Sequence, residues 1–309
     1  MAIPLLIDTD MGIDDAAAVM LALASQTTDV RAIVAVGGNV PIALAADNIR
    51  RLLAAFAPAR MPLIGAGLDQ RGDGLMDRRE AFGRDGLGES HLTFPAAPAA
   101  QDFRAVYRQA IEAARGELHV LALGPLSNLA ALLDESPALA KSIRHIALTG
   151  GAVWTKGDAT ETSEFNFHRD PAAAAKVLDS GLPITVCPLD VTRFVCLDES
   201  HVAHLAASGH RMSEALAGML RYPLSRDVEP GLGKTYLADA LTVGSLLWPD
   251  LFLKTRMRLE LVIGGPEAGR AKPALGGDAT RRVDLLTAVN AVDFLENMLE
   301  SLCREAFVV

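Results

Sequence analysis

Cysteine is scarce in this chain of 309 residues, and its three copies form no pattern typical of a binding site. Cys187, Cys196 and Cys303 are odd in number and contain no CxxC spacing, which argues against a disulfide framework and against a zinc site. We therefore expect three buried or partly buried free thiols in a protein of the reducing cytoplasm.

Long apolar runs and an excess of positive charge are also missing. Charged residues interrupt each apolar stretch before it reaches the about 18 residues of a membrane-spanning helix. The start of the chain, MAIPLLIDTD, has neither the basic residues nor the apolar length of a signal peptide. The net charge of −9 disfavours a general nucleic-acid binder, because such a protein needs a basic surface to neutralise phosphates. We expect neither a membrane nor a nucleic acid as a partner.

What the chain does contain is a regular alternation of short apolar runs and amphipathic segments. The runs predict buried strands at Ile3–Ile7, Arg31–Val36, Leu118–Leu123, Ile143–Leu148 and Ile184–Cys187. The other segments predict helices at Ile13–Ala24, Ile42–Phe56, Phe103–Ala114, Leu126–Leu133, Pro171–Leu178, Glu199–Ala207, Met212–Tyr222, Leu237–Leu247 and Ala291–Arg304. This succession predicts one α/β domain over residues 1–309, with an open, mostly parallel, Rossmann-like sheet and helices on both faces.

Two less regular regions complete the predicted fold. Arg256–Val262 and Arg281–Leu285, joined by Gly-rich turns, predict a peripheral β-hairpin. Leu68–Leu92 is rich in Gly and Asp and poor in apolar residues, which predicts a mobile loop.

Four aspartates crowd the turn after the first predicted strand, in the run DTDMGIDD. Asp8, Asp10, Asp14 and Asp15 would repel one another strongly unless a cation lay among them, and Gly12 would let the backbone turn tightly. All-oxygen ligands favour Ca²⁺ or Mg²⁺ over zinc, so the run predicts a metal site at the carboxyl end of the sheet. Capping of the next helix by one Asp is the simpler alternative. An aspartyl-phosphate phosphatase is a weaker one, because residues 11–15 hold no Ser or Thr for phosphate.

The run DTDMGIDD resembles the N-terminal motif of the calcium-dependent nucleoside hydrolases of the inosine-uridine-preferring type. Further segments agree in the same order: Gly38-Asn39, LGPLSN at 123–128, TGG at 149–151, and EFN at 164–166 before Asp170-Pro171. The resemblance spans about residues 3 to 290, and the combination of DTDxGxDD with a downstream EFNxxxDP is specific. It implies hydrolysis of the N-glycosidic bond of ribonucleosides to free base and ribose by a water bound to Ca²⁺.

The resemblance also implies a role for each matching residue. Ca²⁺ would be bound by the side chains of Asp10, Asp15 and Asp239 and by the backbone carbonyl of Leu123. Asp10 would be the catalytic base that takes a proton from the water. The ribose would be held by Asp14, Asn39, Glu164 and Asn166. Helix capping near Pro41 is the alternative for Asn39, and Glu164 and Asn166 would share one face if their segment were extended.

At three positions this chain has a different residue from the one typical of the family. Two of these positions concern the leaving base, and the third concerns the 5′ end of the ribose. The His that precedes the last calcium ligand in many members is Ala238 here, and another His of the family is Phe82. No general acid is therefore visible at these two positions. Other candidates for this role are His91, His168, Arg226, Lys234 and Tyr236. Phe82 would bind the base by stacking, which favours purines. Asp158 replaces an Asn of the family. It would accept a hydrogen bond from the 5′-hydroxyl and repel a 5′-phosphate, which favours nucleosides over nucleotides.

We therefore expect a cytoplasmic ribonucleoside hydrolase of nucleoside salvage with Ca²⁺ as cofactor, a small-molecule nucleoside as substrate, and a homodimeric or homotetrameric assembly. Loss of both histidines leaves an alternative open, namely a non-catalytic protein of the same fold that binds calcium and a ribosyl ligand. Retention of Asp10 argues against that alternative.

Overall fold

Strands and helices alternate along the chain in the computed structural model of the protein, which describes residues 2–69, 78–90, 98–226, 233–274, 276 and 278–304. The strands are β1 Ile3–Thr9, β2 Thr28–Ala35, β3 Leu63–Ala66, β4 Gln101–Asp102, β5 His119–Ala122, β6 His145–Thr149, β7 Ile184–Cys187, β8 Cys196–Leu197, β9 Thr235–Tyr236, β10 Phe252–Leu261, β11 Ala271–Ala274 and β12 Val283–Val289. The helices are α1 Ile13–Ala24, α2 Ile42–Phe56, α3 Arg79–Phe82, α4 Phe103–Ala114, α5 Ser127–Glu135, α6 Pro137–Ala140, α7 Phe165–Arg169, α8 Pro171–Leu178, α9 Leu189–Thr192, α10 Glu199–Ala206, α11 Arg211–Arg226, α12 Ala238–Leu247 and α13 Ala291–Leu302. Short 3-10 turns cover Pro249–Leu251 and Ala279–Arg281.

A ten-stranded sheet forms the centre of the molecule, in the order β11-β10-β12-β7-β6-β5-β1-β2-β3-β4. Every pairing from β12 to β4 is parallel. Successive side chains of a strand point to opposite faces of the sheet, and β1 shows the result. Leu5 and Ile7 belong to the core that packs against α1, α2 and α12, whereas Leu6 belongs to the core that packs against α4, α5 and α8. The predicted open, mostly parallel sheet with helices on both faces is confirmed.

The predicted hairpin lies at one edge of this sheet. Strand β10 runs antiparallel to β12 and to β11, and β12 in turn runs parallel to β7. The hairpin therefore extends the main sheet, and its strands are longer than the sequence pattern indicates. A separate two-stranded antiparallel sheet joins β8 to β9.

Several short elements were not predicted from the apolar pattern. They have two to five residues each and are β3, β4, β8, β9, β11, α3, α6, α7 and α9. The segment after Glu164 is helical rather than extended, because its backbone enters the turn of α7 at Phe165. The predicted loop Leu68–Leu92 contains α3, and its residues 70–77, 91 and 92 lie outside the described residues. Within the described ranges, no helix combines the length and the apolar character needed to cross a membrane.

Candidate active site

The turn between β1 and α1 brings its carboxylates inward through a network of short local hydrogen bonds. The Thr9 hydroxyl and the Gly12 backbone N–H both donate to the Asp15 carboxylate, the latter at 2.8 Å. The residue with a left-handed backbone is Met11, whose φ is 53°, and not Gly12 as the tight turn suggested. Glycine is required at position 12 for a steric reason instead, because a Cβ atom there would lie only 2.8 Å from the Asn39 amide nitrogen.

Asn39, which follows β2, holds the neighbouring carboxylates in place. Its backbone N–H donates to Asp10 Oδ2 at 2.7 Å, and its side-chain amide donates to Asp10 Oδ1 at 3.0 Å and to Asp15 Oδ2 at 3.1 Å. The alternative role of Asn39 as a helix cap is wrong, since α2 begins after Pro41 without any side-chain cap. A Cβ atom on Gly38 would lie 2.0 Å from Asp10 Oδ2, so only glycine fits beside this carboxylate.

Asp239, in the first turn of α12, completes an acidic cluster with the β1–α1 turn. One oxygen from each of Asp14, Asp15 and Asp239 lies within 4.8 Å of the others. Asp14 Oδ1 and Asp239 Oδ1 are buried and have no hydrogen-bond partner. Asp10 borders this cluster through the Asn39 amide that it shares with Asp15.

Burial and mutual repulsion make these carboxyl groups hard to ionise without a counter-ion. Burial, and then the charge of Asp15, raises the pKa of Asp10 well above its ordinary value and that of Asp14 to about 7. Burial also raises the pKa of Asp239 far above its usual range, with the charge of Asp14 as the next cause. Unpartnered buried oxygens and raised pKa values are both relieved when a cation lies among the carboxylates. The oxygen-only donor set therefore fits a hard divalent metal ion.

Asp8, the fourth aspartate of the motif, does not belong to the cluster. Its Oδ2 accepts a hydrogen bond from the Tyr107 hydroxyl at 2.6 Å and one from the Asn128 side chain at 3.0 Å. Burial raises its pKa to about 7. Asp8 lies within β1 and points to the face covered by α4 and α5, so it supports the sheet and not the site.

Glu164 and Asn166 lie beside the cluster at the start of α7. Glu164 is the N-cap of this helix, and its carboxylate accepts hydrogen bonds from Asn166 N–H at 2.8 Å, Phe167 N–H at 3.0 Å and Gly151 N–H at 3.0 Å. The Asn166 amide donates to the Leu123 carbonyl at 2.8 Å. This bond brings the carbonyl expected to bind calcium into contact with a residue expected to bind ribose.

Asp158 supports the same segment from its own loop. One of its oxygens accepts a hydrogen bond from the Phe165 backbone N–H at 2.8 Å, and the other pairs with the Arg78 guanidinium. Arg78 is a site residue that the sequence analysis missed. It follows a Gly- and Asp-rich stretch, and no motif distinguishes it from the Arg79 next to it.

The leaving-group side of the site holds few polar groups among the described residues. The Phe82 ring contacts the position of Gly12, since a Cβ atom there would lie 3.2 Å from two ring carbons. Ala238 stands directly before Asp239 and has no proton to donate. The His168 ring bonds to the Ala268 carbonyl at 2.8 Å, and Arg226 is exposed over the Tyr222 ring. His91 lies outside the described residues.

Together, the parallel sheet and the acidic cluster at the carboxyl ends of its strands define an α/β enzyme with a site suited to a metal and a polyhydroxylated ligand. The family model of the inosine-uridine preferring nucleoside hydrolases matches residues 5–296. The chain belongs to this family and is a ribonucleoside hydrolase, that is, an N-glycosyl hydrolase. The resemblance and the enzymatic activity predicted from the sequence are thus confirmed.

Similar proteins of known name cover most of the chain. The pyrimidine-specific ribonucleoside hydrolase RihA of Escherichia coli O9:H4 (strain HS) is 34% identical over 261 residues, or 82% of each chain. RihA of Citrobacter koseri is 32% identical over 255 residues, which are 82% of this chain and 81% of the relative. Among solved structures, the plant nucleoside hydrolase PpNRh1 superposes with a TM-score of 0.89 at 26% identity, covering 96% of this chain and 98% of that one. The purine-preferring ribonucleoside hydrolase of Gardnerella vaginalis shares the fold, with a TM-score of 0.90 at 24% identity over 99% of both chains.

Proposed function

We propose that this ribonucleoside hydrolase uses Ca²⁺ and a carboxylate base to cleave nucleosides into free base and ribose. The observation that carries the proposal is the set of three converging carboxylate oxygens of Asp14, Asp15 and Asp239, two of which have no hydrogen-bond partner. The residues that would hold Ca²⁺ are Asp10, Asp15, Asp239 and the Leu123 carbonyl, and the proximity of Asp14 adds a fifth oxygen donor. Bound there, Ca²⁺ would supply positive charge to hold ribose hydroxyls and water and to lower the pKa of that water.

Asp10 is the proposed general base for the attacking water. Both of its oxygens accept hydrogen bonds from Asn39, which fixes the carboxylate plane. Cleavage of an N-glycosidic bond builds positive charge on the sugar, as glycoside hydrolysis does. The carboxylates of Asp10 and Asp14 would stabilise that charge electrostatically.

The sugar would be bound by the polar side chains next to this cluster. Asp14, Glu164 and Asn166 would offer oxygen acceptors to the ribose hydroxyls, since the Asn166 amide N–H groups already donate to the Leu123 and Thr149 carbonyls. Asn39 would contact the sugar from the β2 side. Glu164 is fixed by three backbone N–H groups, so its carboxylate needs no reorganisation when ribose binds. Asp158 would accept a hydrogen bond from the 5′-hydroxyl.

We propose purine nucleosides as the preferred natural substrates, because Phe82 offers a flat apolar surface for stacking and a purine can be protonated at N7. The names of the RihA relatives favour pyrimidines instead, which makes pyrimidine nucleosides the second candidate. Without a visible general acid, an activated substrate such as nitrophenyl riboside needs no protonation of its leaving group. General acid help is typically worth about 10²–10⁴-fold in rate.

Turnover of nitrophenyl riboside, inosine, guanosine and uridine, each measured with calcium and with EDTA, tests this proposal. We expect the activated riboside to react much faster than any natural nucleoside, inosine and guanosine to react faster than uridine, and EDTA to abolish all four reactions. Activity that survives EDTA would contradict the use of a metal. Uridine hydrolysis as fast as that of the activated riboside would reveal a proton donor and reverse the purine preference.

The remaining predictions from the sequence are untested. They are the cytoplasmic location, the role in nucleoside salvage and the homodimeric or homotetrameric assembly. Light scattering of the purified protein at several concentrations would determine the last of these directly.

A further inference from the structure

Arg78 connects three segments that carry proposed site residues. Its backbone N–H donates to the Asn39 carbonyl at 2.9 Å. It is also the residue from which α3 begins, and its carbonyl accepts the Phe82 N–H at 3.0 Å. Its side chain reaches across to Asp158 and lies with the guanidinium carbon 4.3 Å from the centre of the Phe165 ring. A single residue therefore links the loop after β2, the Phe82 turn and the start of α7.

The side chain of Arg78 also carries a positive charge into an acidic environment. Burial lowers the pKa of Arg78, but the carboxylates of Asp158, Glu164 and Asp14 more than offset this effect, so its pKa is raised overall. The guanidinium remains charged, and the planar group can pair with Asp158 while it stacks on Phe165. Only 29% of the side chain is exposed, so water screens these interactions less than those of a surface pair.

We propose that Arg78 is a positioning residue for the ribose-binding side of the site, acting through Asp158 and Phe165. This inference rests on the proposed function of Glu164 and Asn166 as sugar-binding residues. Arg78 neutralises Asp158 while the other Asp158 oxygen holds the Phe165 N–H, and Phe165 stands between Glu164 and Asn166. In this proposal the geometry of those two side chains depends on an arginine that acts through Asp158 and Phe165.

Removal of Arg78 would act on ribose affinity more than on the chemical step. Asp158 would keep its bond to Phe165 but lose its counter-charge. Burial, and after it the charge of Asp158, already raises the pKa of Glu164 to about 7. Glu164 would then be a poorer hydrogen-bond acceptor for ribose, and the start of α7 would lose the stacked guanidinium. A loss of binding that is shared by substrate and transition state raises KM and leaves kcat unchanged.

The test compares Arg78→Met, Arg78→Lys, Asp158→Asn and the Arg78→Met/Asp158→Asn double variant with the wild type. Arg84→Met is the matched control, since this exposed arginine lies on the same segment and its loss changes the net charge equally. For each protein, kcat and KM are measured with inosine and uridine, the inhibition constant with free ribose, and the unfolding midpoint by heating. Calorimetric titration with ribose supplies an affinity even for a protein without turnover.

We expect Arg78→Met to raise KM and the ribose inhibition constant about tenfold while kcat changes less than about threefold. Arg78→Lys should recover part of the loss, because it keeps the charge without the stacked plane. The double variant should lose little more than Arg78→Met alone, because the two residues act as one unit. Arg84→Met should match the wild type.

Unchanged KM and ribose affinity in a folded Arg78→Met protein would overturn the inference. A large fall in kcat at constant KM would also overturn it, because it would mean that Arg78 acts directly in the transition state. Fully additive effects of the two substitutions in the double variant would overturn it as well. If Arg78→Met fails to fold, Arg78→Lys decides by the same criteria, because Asp158 is itself a proposed contact of the ribose 5′-hydroxyl. A wild-type enzyme that releases no base would contradict the proposed function, while the ribose affinities of the variants would still decide the role of Arg78.

Discussion

At the scale of single residues, Asn39 shows what a motif can and cannot predict. The family resemblance predicts that Asn39 contacts the sugar or its neighbours, and its position after a strand places it at the carboxyl edge of the sheet. Nothing in the spacing indicates that its amide would hold Asp10 and Asp15 together, because those bonds join segments more than 20 residues apart. Arg78 was missed for the same reason, since its partner Asp158 is distant in sequence.

Asp10→Asn tests the proposed base. The amide keeps the shape of the side chain but cannot take a proton from water, so we expect kcat to fall about 10²–10⁴-fold. Ribose binding should survive in part. Calcium binding must be titrated in the same variant, because Asp10 is also a proposed ligand. Asp250→Asn, at an exposed position, is the control for loss of one negative charge. Near-normal turnover with calcium bound would remove Asp10 from the role of base.

Asp239→Asn tests the metal site independently of catalysis. Asp239 Oδ1 has no hydrogen-bond partner, so its natural interaction is with a cation. Loss of one charged ligand should weaken calcium binding at least tenfold, a factor typical of changes around metal sites. Titration calorimetry with CaCl₂ measures this affinity without any substrate. Equal affinities in Asp239→Asn, Asp250→Asn and the wild type would exclude Asp239 as a ligand.

At the scale of elements, some segments with a clear apolar pattern were predicted to the residue, others were predicted with different bounds, and several short ones were missed. Helices α1, α2, α4 and α8 and strand β7 begin and end where the apolar pattern indicates. Each has an apolar face or run that burial against the sheet requires. By contrast, α3 and α7 have four and five residues, too few to show a period. Hydrogen bonds to groups outside the element fix such short elements, as Asp158 does for the start of α7.

Asn128 links three elements through one buried side chain. It donates to Asp8 of β1 at 3.0 Å and to the Ala35 carbonyl of β2 at 3.1 Å, and it accepts from the Leu68 N–H at 2.8 Å. Asn128→Ala would leave buried polar groups without partners, each of which costs about 1–3 kcal/mol. We therefore expect the free energy of unfolding to fall by about 2–4 kcal/mol.

Denaturant titration of Asn128→Ala against wild type measures this loss. Gln109→Ala, on the exposed face of α4, is the control and should change the free energy of unfolding by less than about 0.5 kcal/mol. A loss as small as that of the control would mean that water or a shifted backbone satisfies the groups released by Asn128.

At the scale of the whole molecule, the proposed sugar-binding half and the proposed base-binding half of the site differ in how well sequence predicts them. The carboxylates, Asn39 and the EFN segment converge as the motifs indicate, because each follows the end of a parallel strand or begins a helix at that edge. The base-binding half depends on loops, and part of the Leu68–Leu92 loop, including His91, lies outside the described residues. We therefore expect base specificity to be harder to predict from sequence than sugar binding.

The free energy of unfolding of the calcium-free protein should depend on pH, and calcium binding should counteract this dependence. Burial raises the pKa of Asp14 from 3.8 to about 7 and that of Asp10, Asp15 and Asp239 in the same direction. Between pH 4 and 7 the calcium-free folded protein therefore holds protons that the unfolded chain has released. The free energy of unfolding then falls as pH rises through this window. His145 acts in the opposite direction, because burial lowers its pKa from 6.5 to about 4.

The effect of the acidic cluster can be isolated by comparing the unfolding midpoint with calcium and with EDTA at the same pH. His145 and other groups far from the cluster contribute equally to both midpoints, so their contributions cancel in the difference. Protons compete with the metal for the same oxygens, so the calcium-induced rise in unfolding midpoint should be small near pH 5 and grow up to about pH 8. Melting curves with EDTA and with excess CaCl₂ at each pH measure it. Asp239→Asn should flatten the dependence, since it removes one of the coupled carboxyl groups, whereas Asp250→Asn should retain it. A calcium-induced shift that is equal at all pH values would show that the buried carboxyl groups are already ionised in the calcium-free protein.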